Sequence, residues 1–203
     1  DGGVSCYDGA VFSNLDTRDG LPSNNVSAIH VDDDGYVWIG TESQGLTRYR
    51  PTKSQPKVSI TKVETDKPYT DVSAVPPIPI RTRVMIEYSS IDFKTHPQKR
   101  QYRRRILRED GSVIQDWENT PSPASHRAFE KPGSYLFEVV GIDRDLNYSF
   151  PARVKLRIFR PWYLNGWIVL PAGGTLLAVL GASVFFAARS SVQRQKYRRL
   201  REK

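Results

Sequence analysis

Val26-Ser27-Ala28-Ile29-His30-Val31, Asp32-Asp33-Asp34-Gly35 and Tyr36-Val37-Trp38-Ile39-Gly40-Thr41 follow one another without a break. Two runs rich in β-branched and aromatic residues flank a polar group ending in glycine, so the segment reads as strand, turn and strand. A third strand is predicted at 45–50, where Gly45-Leu46-Thr47-Arg48-Tyr49-Arg50 repeats the pattern of Gly3-Val4-Ser5-Cys6-Tyr7-Asp8. The two copies lie 42 positions apart, the length of one propeller blade. An EF-hand loop counted from Asp32 would need glutamate at its twelfth position, which is Ser43, so the aspartates read as a hairpin turn and not as a metal site.

With Gly20-Leu21-Pro22-Ser23-Asn24-Asn25-Val26 in front of it and Gly45-Leu46 behind, the segment resembles the two-component regulator propeller repeat over residues 3–51. The Asp33-x-Gly35-x-Val37-Trp38 spacing is similar to the structural Asp-box turn of other propellers. Trp38 and Gly40 are expected to be structural, the large side chain packing between blades and the glycine permitting close approach. One blade buries neither face alone, so residues 1–51 are expected to end a larger propeller.

After the proline-bearing stretch at 51–56, alternating apolar residues return at Val58 and Ile60, at Val84, Ile86 and Tyr88, at Tyr135, Phe137 and Val139, and at Val154, Leu156 and Ile158. Further strands are expected at 101–107 and 125–130. The Val75-Pro76-Pro77-Ile78-Pro79 segment lacks ladder donors and reads as a loop or edge. Such spacing without helical periodicity predicts an immunoglobulin-like sandwich over 57–160. Lys131-Pro132-Gly133-Ser134-Tyr135 has the form of a tyrosine corner, which makes Gly133 and Tyr135 structural. Tyr102, Asp116-Trp117, the Pro132–Tyr135 turn and Arg160-Pro161-Trp162 together resemble the triple-tyrosine domain that follows the regulator propeller in periplasmic sensors; Trp117 joins the structural set. Arg104 stands where that family often carries its next tyrosine.

Trp167 to Ala188 contains no ionisable side chain and would run about 33 Å as a helix, so it reads as one transmembrane helix. Residues 189–203 carry seven basic groups and the single acid Glu202, holding +6 of the chain's net +8. By the positive-inside rule this tail is a cytoplasmic signalling-helix stub, with residues 1–166 periplasmic and the chain single-pass in a bacterial inner membrane. The same apportioning removes nucleic acid as a partner. Trp162, Tyr163 and Trp167 suit the membrane interface, and membrane lipid is the implied partner. Gly174, Ala178 and Ala182 form a small-residue stripe suited to a helix–helix contact in a homodimer. The fold class expected is thus mainly β: the end of a propeller, a sandwich, then one span.

Cys6 is the lone cysteine, and His30, His96 and His126 are scattered, so no metal, cofactor or catalytic residue is expected. The basic run of Lys99, Arg100, Arg103, Arg104, Arg105 and Arg108 reads as a solvated strand face balanced by Glu109, Asp110, Asp116 and Glu118; an anionic ligand or lipid surface is its functional alternative. The resemblance implies a sensor and relay segment of a two-component receptor, responding to an extracellular ligand such as a glycan and coupled in cis to a histidine kinase or regulator domain. A membrane-anchored adhesion module and the accessory sandwich of a carbohydrate-active enzyme are the alternatives.

Overall fold

A computed structural model of the chain describes residues 2–42, 44–164, 175 and 179–184. The chain divides into two compact units, Asp1–Phe159 and Arg160–Lys203.

The first unit begins with the hairpin of β1 (Val4–Tyr7) and β2 (Phe12–Leu15), whose turn is closed by Asp8 Oδ1 accepting the amides of Ala10 and Val11 at 2.9 and 2.8 Å. A 3-10 turn at Thr17–Asp19 follows, with Asp16 and Asp19 forming a reciprocal capping box. Next comes an antiparallel meander of β3 (Val26–Val31), β4 (Val37–Thr41) and β5 (Gly45–Tyr49). Its central Ile39 is fully buried while Ile29, Val31 and Leu46 are exposed, so three strands cover little more than their own middle.

Two sheets make up the rest of the unit. The larger has the order β11-β10-β13-β14-β8, from β8 (Ile78–Pro79), β10 (Gln101–Arg108), β11 (Val113–Thr120), β13 (Gly133–Ile142) and β14 (Ala152–Phe159). The smaller has the order β12-β9-β6-β7, from β6 (Lys57–Glu64), β7 (Pro68–Tyr69), β9 (Arg83–Ile91) and β12 (Ala124–Ala128). Alternation sends Val84, Ile86 and Tyr88 of β9 and Val154, Leu156 and Ile158 of β14 into one shared core, joined by Tyr135, Phe137 and Val139 of β13. A bulge in β6 between Ile60 and Lys62 shifts its register against β9, which is why even-numbered Val58 and odd-numbered Val63 face the same core. Each such side chain contributes about 1.5–3 kcal/mol by leaving water, against about 0–1 kcal/mol for an exposed ion pair, so the core and not the surface charge holds the unit together.

In the second unit, Trp162–Leu164 forms a 3-10 turn, and Thr175 and residues 179–184 are helical. The expected fold class is corrected at this point. Among the described residues the chain is mainly β, with sheets of two to five strands, none closed into a barrel, and with helical residues at Thr175 and 179–184. Among the described residues no helix is long and apolar enough to cross a membrane. Crossing takes about 20 apolar helical residues, and 179–184 would rise only about 9 Å. The sequence also places Pro171, which lacks a helix donor, and the weak helix formers Gly173 and Gly174 inside the apolar run. The lack of a spanning helix among the described residues goes against the expected transmembrane helix at 167–188, membrane lipid as partner, and single-pass inner-membrane localisation with 1–166 outside and 189–203 inside. Most of 167–188 and all of 189–203 lie outside the described residues.

Candidate functional site

Within the first unit, the hairpin, the meander and the segment after it are tied to the two larger sheets by a concentrated set of polar contacts, many of them converging on the loop Asp143–Tyr148 between β13 and β14. That loop is held by its own first residue. Asp143, 3 % exposed, accepts the amides of Asp145 and Asn147 through Oδ1 at 2.9 and 2.8 Å, and the Asn147 side-chain amide through Oδ2 at 2.9 Å. These bonds favour a tight turn, and Leu146 inside it takes φ of 62°.

The turn then presents its other groups to the N-terminal segment. Ser13 Oγ donates to the Arg144 carbonyl at 2.6 Å, and Tyr148 Oη donates to Asp8 Oδ2 at 2.5 Å. Asp145 Oδ1 accepts from Tyr49 Oη, while its Oδ2 accepts the amide and hydroxyl of Thr52 at 3.0 and 2.8 Å. Asn147 Nδ2 also donates to the Thr52 carbonyl at 2.6 Å. Burial pushes the Asp145 carboxyl above the usual carboxylate range, with the Thr52 amide pulling the other way.

A second group of contacts sits beside the 3-10 turn Pro97–Lys99, where His96 Nδ1 accepts the Gln98 amide at 3.4 Å. Lys99 Nζ donates to Asp16 Oδ2 at 2.9 Å, to Asp19 Oδ2 and to the Asn14 carbonyl at 3.0 Å. The Arg18 guanidinium, with Lys99 behind it, holds the Asp16 carboxyl well below the usual carboxylate range. Gln101 Nε2 to the Phe12 carbonyl at 2.7 Å and Asn119 Nδ2 to the Ala10 carbonyl at 2.8 Å complete the seam.

The residues expected to be structural are dispersed. Trp38 is half-buried in β4 and its Nε1 donates to Asp32 Oδ2 at 2.8 Å. A Cβ at Gly40 would lie 3.7 Å from Ser27 Oγ, an ordinary contact, so packing alone does not demand a glycine there. Trp117, half-buried in β11, has the Arg105 guanidinium 4.5 Å and that of Arg103 5.7 Å from its ring. Gly133 has φ of 150°, and Tyr135 Oη donates to the Lys131 carbonyl at 2.8 Å. Trp162 and Tyr163 are exposed, and Ala182 lies in the helical residues 179–184; Trp167, Gly174 and Ala178 lie outside the described residues.

The basic run does not form one patch. Lys99 belongs to the seam, Arg104 turns to Glu118 at 3.2 Å, and Arg105 joins Arg153 on the buried Glu138 at 2.5 and 2.6 Å. Among the described residues no group of three or more histidine, cysteine, aspartate or glutamate side chains could hold a metal ion, and Cys6 is an unpaired exposed thiol. Sequence reasoning missed the Asp143–Tyr148 loop and the Lys99 clamp. The Asp143-x-Asp145-x-Asn147 spacing between two alternating runs signals an aspartate-capped turn, but its partners Tyr49 and Thr52 lie over 90 positions away and leave no local trace.

Among known proteins, the family described as two component regulator propeller matches residues 20–43. No curated protein sequence matches the chain. Of solved structures, the chain is similar to one described as the "extracellular domain of the putative hybrid two component system BT3049 from B. thetaiotaomicron", with a TM-score of 0.53 and 17 % identity over 79 % of this chain and 24 % of that one. Two structures described as the extracellular domain of BT4673 from the same organism are more loosely similar. One, described as that of the "putative one component system BT4673", gives a TM-score of 0.42 and 14 % identity over 76 % of this chain and 22 % of that one. The other, described as that of the "putative hybrid two component system BT4673", gives 0.38 and 10 % over 80 % and 35 %. The chain therefore spans about a quarter of the length of the first two of these structures, and its likeness to the first is one of fold.

Proposed function

We propose that the chain is a sensory and relay segment of a bacterial one- or two-component signalling receptor. In this reading an extracellular ligand acts on the propeller-like portion, and the sandwich passes the resulting bias to an output domain elsewhere in the full-length protein. Two considerations support it: the regulator-propeller match at 20–43, and the fold shared with a domain described as part of a hybrid two component system. The observation that carries the reading is the loop Asp143–Tyr148. It grows out of the two strands that supply much of the core, yet spends its side chains on Asp8, Tyr49 and Thr52. A displacement of the N-terminal segment must either drag this loop or break its bonds, which gives the differential contacts that two signalling states require.

The test is made in the full-length receptor with a transcriptional reporter. Asp145→Ala combined with Asn147→Ala removes the bonds to Tyr49 and Thr52. Ligand affinity is expected to stay within about twofold while the reporter response flattens. A reporter response equal to that of the unaltered receptor would overturn the relay.

A further inference from the structure

Where residues 12–18 meet residues 98–101 there is a cleft of about 350 Å³, within the size range of small-ligand sites. Four cations line it, Arg18, Lys99, Arg100 and Arg144; Asp16 is the carboxylate of the lining, and Asp19 and Asp145 lie within 4.0 Å of Arg144. Two of the cations are already spent. Arg18 Nη2 bonds Asp16 at 2.6 Å, and Lys99 sits between Asp16 and Asp19.

The other two are held less closely. Arg100 makes no ion pair among the described residues; its Nη2 reaches the Asp92 carbonyl at 3.4 Å, and its Nε is buried without a partner. Arg144 has its nearest carboxylates, Asp19 and Asp145, at 4.0 Å, beyond hydrogen-bond reach, and its Nε is likewise buried without a partner. Native proteins rarely leave buried donors unmet, because an unpaired donor forfeits its hydration and gains nothing in return. Two guanidiniums lining one cleft suit an acceptor that carries negative charge and two or more oxygens, the geometry a guanidinium fork grips best. The ring of Phe12, 64 % exposed, and Pro121 give the same cleft an apolar wall.

We propose that this cleft binds a small ligand through an oxyanion group, a carboxylate or sulfate, held by Arg100 and Arg144. The site stands independently of the signalling reading, since binding is a property of the chain whatever output it serves.

The test is calorimetric titration of the full chain with three probes: inorganic sulfate, glucuronate and neutral glucose. Saturable binding of sulfate, of glucuronate or of both, weakening as salt is added, with none for glucose, is the expected result. Sulfate alone assigns a free inorganic oxyanion, glucuronate alone an acidic sugar, and both together a site that reads the charged group itself. Arg100→Gln and Arg144→Gln are each expected to weaken binding at least about tenfold, as loss of a charge-assisted bond does, while Arg81→Gln on a distant exposed loop leaves it unchanged. On the unaltered chain, the bound probe should protect Arg100 and Arg144 from phenylglyoxal, read by mass spectrometry, so the result does not depend on the variants folding. Binding of neither charged probe, equal binding of glucose, undiminished affinity in both folded variants, or unprotected arginines would overturn the proposal.

Discussion

Trp38 and Asp32 are joined across the first turn of the meander: the indole Nε1 donates to Asp32 Oδ2 at 2.8 Å while Asp32 Oδ1 takes the Tyr36 amide, also at 2.8 Å. One aspartate thus closes the turn and orients the largest side chain of β4, with Gly35 at φ of 79° completing the reversal. The Trp38 bond holds the Asp32 carboxyl below the usual carboxylate range. Asp32→Ala removes both bonds and is expected to red-shift Trp38 emission and lower the melting temperature, whereas Asp32→Asn keeps an acceptor and loses less. Fluorescence and thermal melts of the two variants check this.

Asp145 should behave in the opposite sense on titration. Its folded value is raised from 3.8 by burial, so between 3.8 and that value the folded state holds more protons than the unfolded one. Stability contributed there is present below 3.8 and lost as pH rises through the folded value. Asp145→Asn keeps a group that can meet Thr52 and Tyr49, so it is expected to melt at or above the unaltered chain near pH 7 and to abolish that decline. Melting curves collected from pH 3 to 8 decide it.

Asp16 gives the complementary case. Arg18 and Lys99 depress its folded value below 3.8, so its contribution is complete above 3.8 and disappears as pH falls through the folded value. Asp16→Asn is expected to lower stability near neutrality and to flatten the loss in acid. Denaturant midpoints at pH 7 and pH 3 should therefore lie closer together in the variant than in the unaltered chain.

Glu138, 1 % exposed, is shared by Arg105 at 2.5 Å and Arg153 at 2.6 Å across three neighbouring strands. Breaking a buried pair from one side costs about 3–5 kcal/mol in general, and the part-exposed arginines reduce this to about 2–3 kcal/mol for Glu138→Ala. Replacing all three, as Arg105→Met, Glu138→Leu and Arg153→Met, is expected to fall within about 1 kcal/mol of the unaltered chain, because no charge is left unpaired. Urea unfolding measures both.

Tyr135 buries its ring against Phe129, with centroids 4.5 Å apart, and sends its hydroxyl to the Lys131 carbonyl. Tyr135→Phe keeps the ring and loses the bond, an expected cost of about 1 kcal/mol by chemical denaturation.

What could be read from residue order was the period-two alternation. Tyr135–Val139 and Val154–Ile158 announced strands because one face of each meets the core, whereas Val26–Val31, exposed along most of its length, was legible from its β-branched residues beside a turn. β11 did not announce itself, since Val113, Ile114 and Glu118 are all exposed and its place is set by pairing with β10. β2, four residues with Ser13 buried and Phe12 exposed, reverses the usual preference for the same reason: its surroundings come from residues 97–101 and 144, distant in the chain. The apolar run at 167–188 carried a hydropathy signal, but among the described residues no helix is long and apolar enough to cross a membrane. The cleft was legible only as a surplus of cations. Which of them were neutralised depended on Asp16 and Asp19, about 80 positions from Lys99.

The two-residue strand β8 runs parallel to β14 with Phe159 opposite Pro79, at the margin of the five-stranded sheet. A proline has no amide hydrogen to offer a newcomer, and so short a strand gives an incoming β-ribbon almost nothing to grip. β8 therefore blocks strand addition only over Ile158 and Phe159, and among the described residues Ala152–Arg157 of β14 have no partner strand on that side.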